Sequence, residues 1–381
     1  MITNTRGLLL ANATIIVSAL LLVNCGGIGS SKQITIGAVL QLSGDNALWG
    51  ENARKAINLL SGQLNDSGGI EGRKVRVLYE DSRGDPQTAV SAFRKLVDVN
   101  RVPVLLGDML SSTTLAMAPQ ANDSSTVLIG ISCSSPTVTQ AGPYVYRVWP
   151  SDLYEGEAFA EWVHKAGLRS VSIAFLNNDY GNGLRNAFAK RFKMLGGRVD
   201  LDEGYTQARA EVRSLATKLL GSASDGVYIV GYYEDSALIV RELRQVGYKG
   251  RILGTSSSIN EKLIEIAGTA AEGFTAALVN DFDRDRLSPK QRQFLNDFKT
   301  RYGEEPDWAA THAGDAFEVA VQCLKDGATD GRQIKACIDK RRTFDGVNTG
   351  VTFDDNGDVV NKPITTKTVR GAKFTNSSGT P

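Results

Sequence analysis

Short apolar segments alternate with longer amphipathic segments through the first half of the chain. The apolar runs have the length and residue types of strands, and the longer segments repeat their apolar residues with the period of a helix. In chain order the predicted elements are strand 33–40, helix 47–64, strand 74–80, helix 87–99, strand 102–106, a helix beginning near Ser112, and strand 126–131. This β-α-β-α-β-α-β order predicts a parallel, doubly wound sheet.

The same alternation starts again after Trp149 and Pro150. The predicted elements are helix 154–165, strand 170–175, helix 183–195, strand 198–203, helix 212–220, strand 226–230, helix 236–246, strand 250–253, a short helix 261–266, helices 289–302, 308–326 and 332–342, and a β-rich tail at 350–374. Two similar half-units predict two α/β lobes with a cleft between them. The length agrees, because about 350 residues after the N-terminal segment exceed one hydrophobic core.

Hydroxyl side chains cluster where the strand at 102–106 gives way to its helix. The chain passes through Gly107 and then reads Ser111-Ser-Thr-Thr114. In parallel α/β sheets, ligands lie beyond the carboxyl ends of the strands, where helices begin. Hydroxyls beside the unpaired N–H groups of a helix start suit a carboxylate or another anion. The alternative is that Ser111 or Ser112 only caps the helix.

The first residues have the layout of an export signal. Arg6 is the only charge before an apolar run at 8–23, which is shorter than the about 20 residues of a membrane-spanning helix. Cys25 follows the run directly, and the segment resembles a bacterial lipoprotein signal. That resemblance implies a signal peptide at 1–24, a lipid on Cys25, a linker at 25–32 and a periplasmic or extracellular location. Asn24 departs from the small residue usual before the cysteine, and the alternative is an uncleaved membrane anchor.

The composition argues against several classes of function. The formal net charge is +1 and the charges are mixed along the chain, so nucleic-acid binding is not predicted. No CxxC or histidine-rich spacing occurs, so neither a metal site nor a cofactor is predicted. An extracellular hydrolase, the enzyme alternative, needs a nucleophile elbow, which is missing, and neither His164 nor His312 has an evident catalytic partner. We therefore predict a protein that is not an enzyme.

Several short motifs appear in an order typical of one family. They are Ile34-Thr-Ile-Gly-Ala-Val-Leu-Gln-Leu-Ser-Gly with Trp49-Gly50, Asn65-Asp-Ser-Gly-Gly-Ile-Glu-Gly, Tyr79-Glu-Asp-Ser with Asp85-Pro86, Ser111-Ser-Thr-Thr, Tyr180-Gly181, Gly231-Tyr232-Tyr233, Ala271-Glu-Gly-Phe274 and Phe353-Asp-Asp-Asn-Gly-Asp358. With these motifs the chain resembles the leucine/isoleucine/valine-type substrate-binding proteins of ABC importers. The resemblance extends from residue 33 to about residue 370.

This resemblance implies the type I periplasmic binding fold, in which two doubly wound parallel-sheet lobes are joined by three crossovers. One lobe would comprise 33–149 and 280–348, and the other 150–279 and 349–374. It also implies a monomer that closes around an amino acid or a related small carboxylate and delivers it to an ABC permease. A sensor of the same fold, which presents its ligand to a receptor, is the alternative.

The resemblance also assigns ligand-binding residues. The Ser111 position supplies a hydroxyl to the ligand carboxylate, and the loop after the fourth strand contributes Ser134 and Ser135. Trp49 matches an aromatic wall of the first lobe. Tyr180 and Tyr232 match aromatic residues that close over the ligand from the second lobe.

One position departs from the family pattern. The family places an acid that pairs with the ligand ammonium where this chain has Ser256. A hydroxyl cannot balance a buried ammonium, and an unpaired buried ion costs several kcal/mol. Either another acid takes over, for which Asp108, Glu234 and Asp235 are candidates, or the ligand has no ammonium.

Two cysteines are placed to form a disulfide. Cys323 and Cys337 are 14 residues apart, at the end of one predicted helix and within the next. A bridge between such antiparallel neighbours is expected in an oxidising compartment. Cys133 would remain free in the binding loop.

Overall fold

The computed structural model describes Met1 and residues 33–206, 211–279, 287–360 and 362–377. The predicted signal peptide, the lipidation site at Cys25 and the linker lie outside these described residues. Among the described helices, none combines the length and the apolar character needed to cross a membrane.

Fourteen strands are described. They are β1 (Ile34–Leu40), β2 (Val75–Asp81), β3 (Val104–Leu106), β4 (Val127–Gly130), β5 (Val145–Arg147), β6 (Ser170–Leu176), β7 (Arg198–Tyr205), β8 (Gly226–Val230), β9 (Arg251–Gly254), β10 (Thr275–Val279), β11 (Thr343–Phe344), β12 (Val351–Thr352), β13 (Ile364–Arg370) and β14 (Lys373–Asn376).

Eleven α-helices are described between and after these strands. They are α1 (Ala47–Asp66), α2 (Pro86–Arg94), α3 (Ser111–Ser124), α4 (Asp152–Lys165), α5 (Asp179–Met194), α6 (Val212–Gly221), α7 (Tyr233–Gln245), α8 (Glu261–Ala267), α9 (Pro289–Tyr302), α10 (Trp308–Lys325) and α11 (Gly331–Arg341). Short helical turns also lie between these elements, at Lys95–Val99, Pro136–Gln140, Ser256–Ser258 and Gly268–Ala271.

The strands form two main sheets, as predicted. The first has the order β2-β1-β3-β4-β5, and all its pairings are parallel. The second has the order β14-β13-β10-β9-β8-β6-β7, in which β6 to β10 pair in parallel and β13 and β14 are antiparallel. Strands such as β6 read as continuous apolar runs because helices cover both faces of a parallel sheet. The α/β class and the two-sheet architecture are thus confirmed.

The last long helices return to the first sheet. Helix α10 packs against α1 and β3, and α11 packs against β4. Nearly every side chain of α10 is buried, and its many alanines allow the close approach. Cys323 near the end of α10 and Cys337 in α11 are joined by a disulfide with Cα atoms 5.7 Å apart, while Cys133 is free and buried.

The predicted boundary at residue 349 is wrong. Residues 351–359 stay with the first sheet, because Asp358 forms a parallel bridge with Arg147 of β5 and the Arg147 N–H donates to the Gly357 carbonyl at 3.1 Å. The Phe353 ring also packs on Tyr146, 5.5 Å between centroids. The chain joins the second sheet only at Ile364, where β13 pairs with β10.

Candidate functional site

A small cavity lies between the carboxyl ends of the strands of the two sheets. Its walls come from both sides of the cleft and consist of Trp49, Met109, Leu110, Ser111, Ser132, Ser134, Tyr180, Tyr232, Ser257 and Trp308.

The start of helix α3 opens toward this cavity. Ser111 is its first residue, and the capping position is Leu110, which offers no side-chain cap to the first N–H groups. The Ser111 Oγ accepts a hydrogen bond from the Ser135 N–H at 3.1 Å, so the hydroxyl is held in place rather than spent on capping its own helix. A helix start with uncapped N–H groups is a favourable place for an anion.

The loop after β4 supplies the next polar groups. Ser132 and Ser134 line the cavity, and Ser132 Oγ donates to the Met109 carbonyl at 3.0 Å. Ser135, the other serine predicted to bind the ligand, is not among the lining residues. Its hydroxyl instead accepts from the Thr137 N–H at the start of the Pro136–Gln140 turn.

A buried arginine fixes the shape of this loop. The guanidinium of Arg147 donates to the carbonyls of Cys133 and Ser135 at 3.2 and 2.8 Å, and to the hydroxyl of Thr139 at 2.7 Å. Its other N–H groups form a bidentate pair with Asp358 at 2.7 and 2.8 Å. Because the charged head is fully buried, each of these partners also offsets its desolvation.

Aromatic rings form most of the remaining wall. On the first side, Trp49 packs against Trp308 at 4.9 Å between centroids. Trp49 also contacts Tyr232 across the cleft at 5.4 Å in an edge-to-face arrangement, and Tyr232 stacks on Tyr180 at 5.4 Å. The two sides of the cleft therefore touch through a continuous series of rings, which buries apolar surface without freezing many torsions.

Three hydrogen bonds hold the aromatic residues of the second side. The Tyr180 hydroxyl donates to Thr255 Oγ1 at 2.9 Å and accepts from Ser257 Oγ at 3.0 Å. The Tyr232 hydroxyl accepts from the Asn178 amide at 3.3 Å. Burial raises the pKa of both tyrosines, so they remain neutral hydroxyls at physiological pH.

Ser256, which was also predicted to bind the ligand, and its neighbour Ser257 lie differently with respect to the cavity. Ser257 lines the cavity, whereas Ser256 Oγ accepts from the Val279 N–H at 3.1 Å. The Ser256 N–H donates to the carboxyl of Glu155 at 2.9 Å. A three-residue helical turn rotates successive side chains in different directions, and only the second of its serines reaches the cavity.

The three acids suggested as replacements for the family acid are not among the cavity-lining residues. Asp108 is buried behind the lining residues Met109 and Leu110, and burial raises its pKa to about 6. Asp235 accepts from the Tyr205 hydroxyl and from the Tyr232 N–H, and burial raises its pKa to about 7. Glu234 precedes Asp235 in the first turn of α7.

Two further acids, which sequence reasoning did not single out, also lie outside the lining but contact the loops that form it. Asp152 and Glu155 stand in the first turn of α4, and both are buried. The Asp152 N–H donates to the Ser134 carbonyl at 2.8 Å, and neither carboxyl oxygen of Asp152 has a hydrogen-bond partner of normal geometry. Burial raises the pKa of Asp152 well above its usual value and that of Glu155 to about 7.

The sequence contained signals for some of the lining residues that were not predicted. Met109, Leu110 and Ser132 occupy the same loops after strands that pointed to Ser111 and Ser134. Trp308 could have been suspected as an aromatic residue at the start of a predicted helix. Within the described residues, no cluster of histidine, cysteine or acidic side chains has the arrangement of a metal site.

Comparisons with known proteins agree with this geometry. The family model described as periplasmic binding protein matches residues 33–373. The leucine-, isoleucine-, valine-, threonine- and alanine-binding protein of Pseudomonas aeruginosa is 25% identical over 340 residues, covering 88% of this chain and 90% of that protein. Such relatives bind ligands and are not enzymes, in agreement with the sequence prediction.

Solved structures show the same similarity. A leucine-binding protein from Thermotoga maritima superposes with a TM-score of 0.84 at 26% identity, covering 91% of this chain and 98% of that one. A branched-chain amino acid transporter substrate-binding protein from Streptococcus pneumoniae, solved with isoleucine, gives a TM-score of 0.83 at 25% identity and covers 90% and 98% of the two chains.

Proposed function

The chain belongs to the periplasmic binding protein family, and from this we propose that it captures an amino acid or a related small carboxylate in the cleft for an ABC importer. The observation that carries the proposal is the cavity at the start of α3, where the Ser111 hydroxyl and uncapped N–H groups face an aromatic enclosure. Hydrogen-bond donors at one end suit a carboxylate, and the rings suit an apolar side chain.

The relatives support this class of ligand. The Pseudomonas aeruginosa protein is named for leucine, isoleucine, valine, threonine and alanine, and the Streptococcus pneumoniae structure contains isoleucine. These amino acids share a carboxylate and a compact, mostly apolar side chain, which matches a cavity lined by hydroxyl groups and aromatic rings. We infer a small, mostly apolar amino acid as the first candidate and an amine-free carboxylate as the second.

The direct test is to identify what the purified protein carries and binds. Native mass spectrometry of the purified protein should identify a ligand that it carries. Titration calorimetry of protein refolded without ligand, with the twenty amino acids and their deamino carboxylates, should then reveal saturable binding of at least one. Absence of binding to every member of both sets would contradict the proposed function. Uptake of the same compound by cells with and without the protein would separate import from sensing.

We also propose that the mature protein begins at Cys25 and is anchored to a membrane by a lipid on this residue, at the periplasmic or extracellular face. The basis is the sequence pattern of residues 1–32. Intact-mass analysis of protein extracted from membranes should show a diacylglyceryl-type addition on Cys25. Asn24→Gly should if anything speed processing, because a small residue is usual at that position. An unmodified Cys25 or a different start would overturn this point.

A further inference from the structure

Asp152 and Glu155 are two buried acids close to residues of the cavity wall. This argument rests on the proposed function and concerns which carboxylates the site selects. Asp152 is fully buried, and neither carboxyl oxygen makes a hydrogen bond of normal geometry, although the Ser134 hydroxyl and the charge of Arg147 both act to lower its pKa. Burial outweighs these two groups and keeps the pKa raised, because an ionised buried carboxyl costs several kcal/mol, and a further cation would offset that cost.

The position of Asp152 connects it to the cavity wall. Its N–H donates to the carbonyl of Ser134, a wall residue, and its carboxyl is close enough to the Ser134 hydroxyl for that hydroxyl to lower its pKa. The charge of Asp152 also raises the pKa of Tyr180 and of Tyr232, both of which line the cavity. Asp152 does not itself line the cavity, but it adjoins Ser134, which does.

Glu155 lies about one helical turn further along α4, and its carboxyl contacts the turn Ser256–Ser258. Its carboxyl accepts from the N–H of Ser256, the position at which the family pattern expects an acid. Its charge is the second-largest cause of the raised pKa of Tyr180, after burial. Residue 256 is a serine here and provides no carboxyl. The carboxyl of Glu155, from helix α4, lies next to this position instead.

We propose that Asp152 and Glu155 form the cation-recognising end of the ligand site and that they select an amino acid over the corresponding amine-free carboxylate. The ligand would lie with its carboxylate at Ser111 and the start of α3, and with its ammonium toward Ser134 and Tyr180. The two ends of the site differ in charge. The uncapped N–H groups of α3 favour the ligand carboxylate, and the two acids favour the ligand ammonium. A zwitterion matches both, whereas a simple carboxylate leaves the acids without a partner.

Matched ligand pairs test this assignment. Wild-type protein should bind leucine at least tenfold more tightly than 4-methylpentanoate, or show the same preference for whichever amino acid the panel identifies. Glu155→Gln and Asp152→Asn should lower affinity for the amino acid at least tenfold and leave that for the deamino acid unchanged or improved. Glu157→Gln, an exposed neighbour on α4, is the control and should change neither.

A second measurement needs only the wild-type protein. In the absence of ligand, burial favours the protonated form of these carboxyls, and an arriving ammonium should ionise one of them and release a proton. The charged or titratable groups facing the pair are Arg147 on β5, Tyr180 on α5, Tyr228 on β8 and Tyr232 before α7. Calorimetry at pH 7 in buffers of different ionisation enthalpy should show proton release for the amino acid and none for its deamino partner.

The outcomes separate this inference from the proposed function. Equal or tighter binding of deamino acids by the wild type, or an unchanged preference in both variants, would overturn the inference while leaving a carboxylate-binding function in place. Failure of both ligand classes to bind would overturn the proposed function itself. The two neutral substitutions keep the side-chain shape and remove a buried charge, and equal melting temperatures would show that the variants fold.

Discussion

The hydroxyl of Ser111 is the residue on which carboxylate binding is expected to depend most directly. Its Oγ accepts from the Ser135 N–H, which leaves its own proton for a ligand oxygen. Ser111→Ala should weaken ligand binding by about 1–3 kcal/mol, because a buried carboxylate loses one donor. Titration calorimetry measures this, with Ser112→Ala, which does not line the cavity, as the control. Unchanged affinity for every ligand would show that the anion lies elsewhere.

Buried acids should make the protein most stable at mildly acidic pH. Burial raises the pKa of Asp108 and Asp315 to about 6 and of Glu155 and Asp235 to about 7. Between about pH 4 and 7 the native state therefore holds protons that the unfolded chain has lost, and stability falls as pH rises. His312, whose pKa burial lowers to about 3, acts in the opposite direction, but it is a single group against several buried acids.

The measurement is the free energy of unfolding in denaturant at pH 5, 6, 7 and 8 without ligand. We expect a decline across this range and a shallower decline in Glu155→Gln, because one raised carboxyl is removed. Each unit of pKa shift corresponds to about 1.4 kcal/mol at most. Greater stability at pH 8 than at pH 5 would contradict the expected protonation of these acids.

At this scale, the sequence predicted the residues that lie near strand ends and missed those brought in from elsewhere. Trp49, Ser111, Tyr180 and Tyr232 all line the cavity and all follow from local motifs. The sequence did not show which of the successive serines lines the cavity, because the loop after β4 takes its shape from hydrogen bonds to Arg147. The acids of α4 could not be foreseen either, since their proximity to residue 256 arises only when the second sheet forms.

Helix α5 comes so close to the Pro136–Gln140 turn that only glycine fits at position 183. A Cβ atom there would lie 2.6 Å from Pro136 Cδ and 3.2 Å from Ser135 Oγ. Gly183→Ala should therefore push the two sides of the cleft apart and weaken ligand binding, by about 1–3 kcal/mol if it acts like other overpacked contacts. The helix itself should gain stability, because alanine is a better helix former than glycine.

Calorimetry and thermal unfolding of the same variant separate these effects. Gly62→Ala in α1 is the matched control, because the nearest atom to its new Cβ is an arginine side chain 3.7 Å away. It should leave the affinity unchanged. If Gly183→Ala bound ligand as tightly as the wild type, the close contact between α5 and the turn would not be needed in the ligand-bound form.

The disulfide between α10 and α11 should contribute measurably to stability. It closes a short loop of 14 residues, for which the chain-entropy model gives about 3 kcal/mol. Denaturant unfolding of the Cys323→Ser/Cys337→Ser double variant should show a loss of this order, whereas Cys133→Ala leaves the bridge intact and is the control. Unreduced, unfolded protein comprising residues 33–381 should show one reactive thiol. Three would mean that the bridge does not form.

The elements themselves were largely predictable, because each has a clear apolar period and most are separated by glycine or polar turns. The β3–α3 junction illustrates this, with the strand observed at Val104–Leu106 and the helix starting at Ser111. The segment 351–359 was not predictable. Its place beside β5 depends on one backbone bridge and one buried ion pair, neither of which leaves a periodic pattern in the sequence.

For the whole molecule, the two sheets with their helices are expected to move as rigid bodies around the cleft. Contacts across it, such as the Tyr233 hydroxyl donating to the Asp45 carbonyl at 3.1 Å, define a closed arrangement. Ligand should favour this arrangement, because it contacts residues of both sides. Small-angle scattering should show a smaller radius of gyration at saturating ligand than without it. An identical profile in both conditions would count against a closing mechanism.

The ring series around the cavity gives the protein a built-in optical reporter. Three of its four tryptophans, Trp49, Trp149 and Trp308, form one contiguous group, with Trp149 and Trp308 5.3 Å apart. Trp49 is the member that touches Tyr232 across the cleft. Separation of the two sides would expose the Trp49 indole to water and shift its fluorescence emission to longer wavelengths. Intrinsic fluorescence could therefore follow capture of a ligand in real time without any attached dye, and substitutions that change ligand choice would turn the same protein into a set of colour-shift detectors.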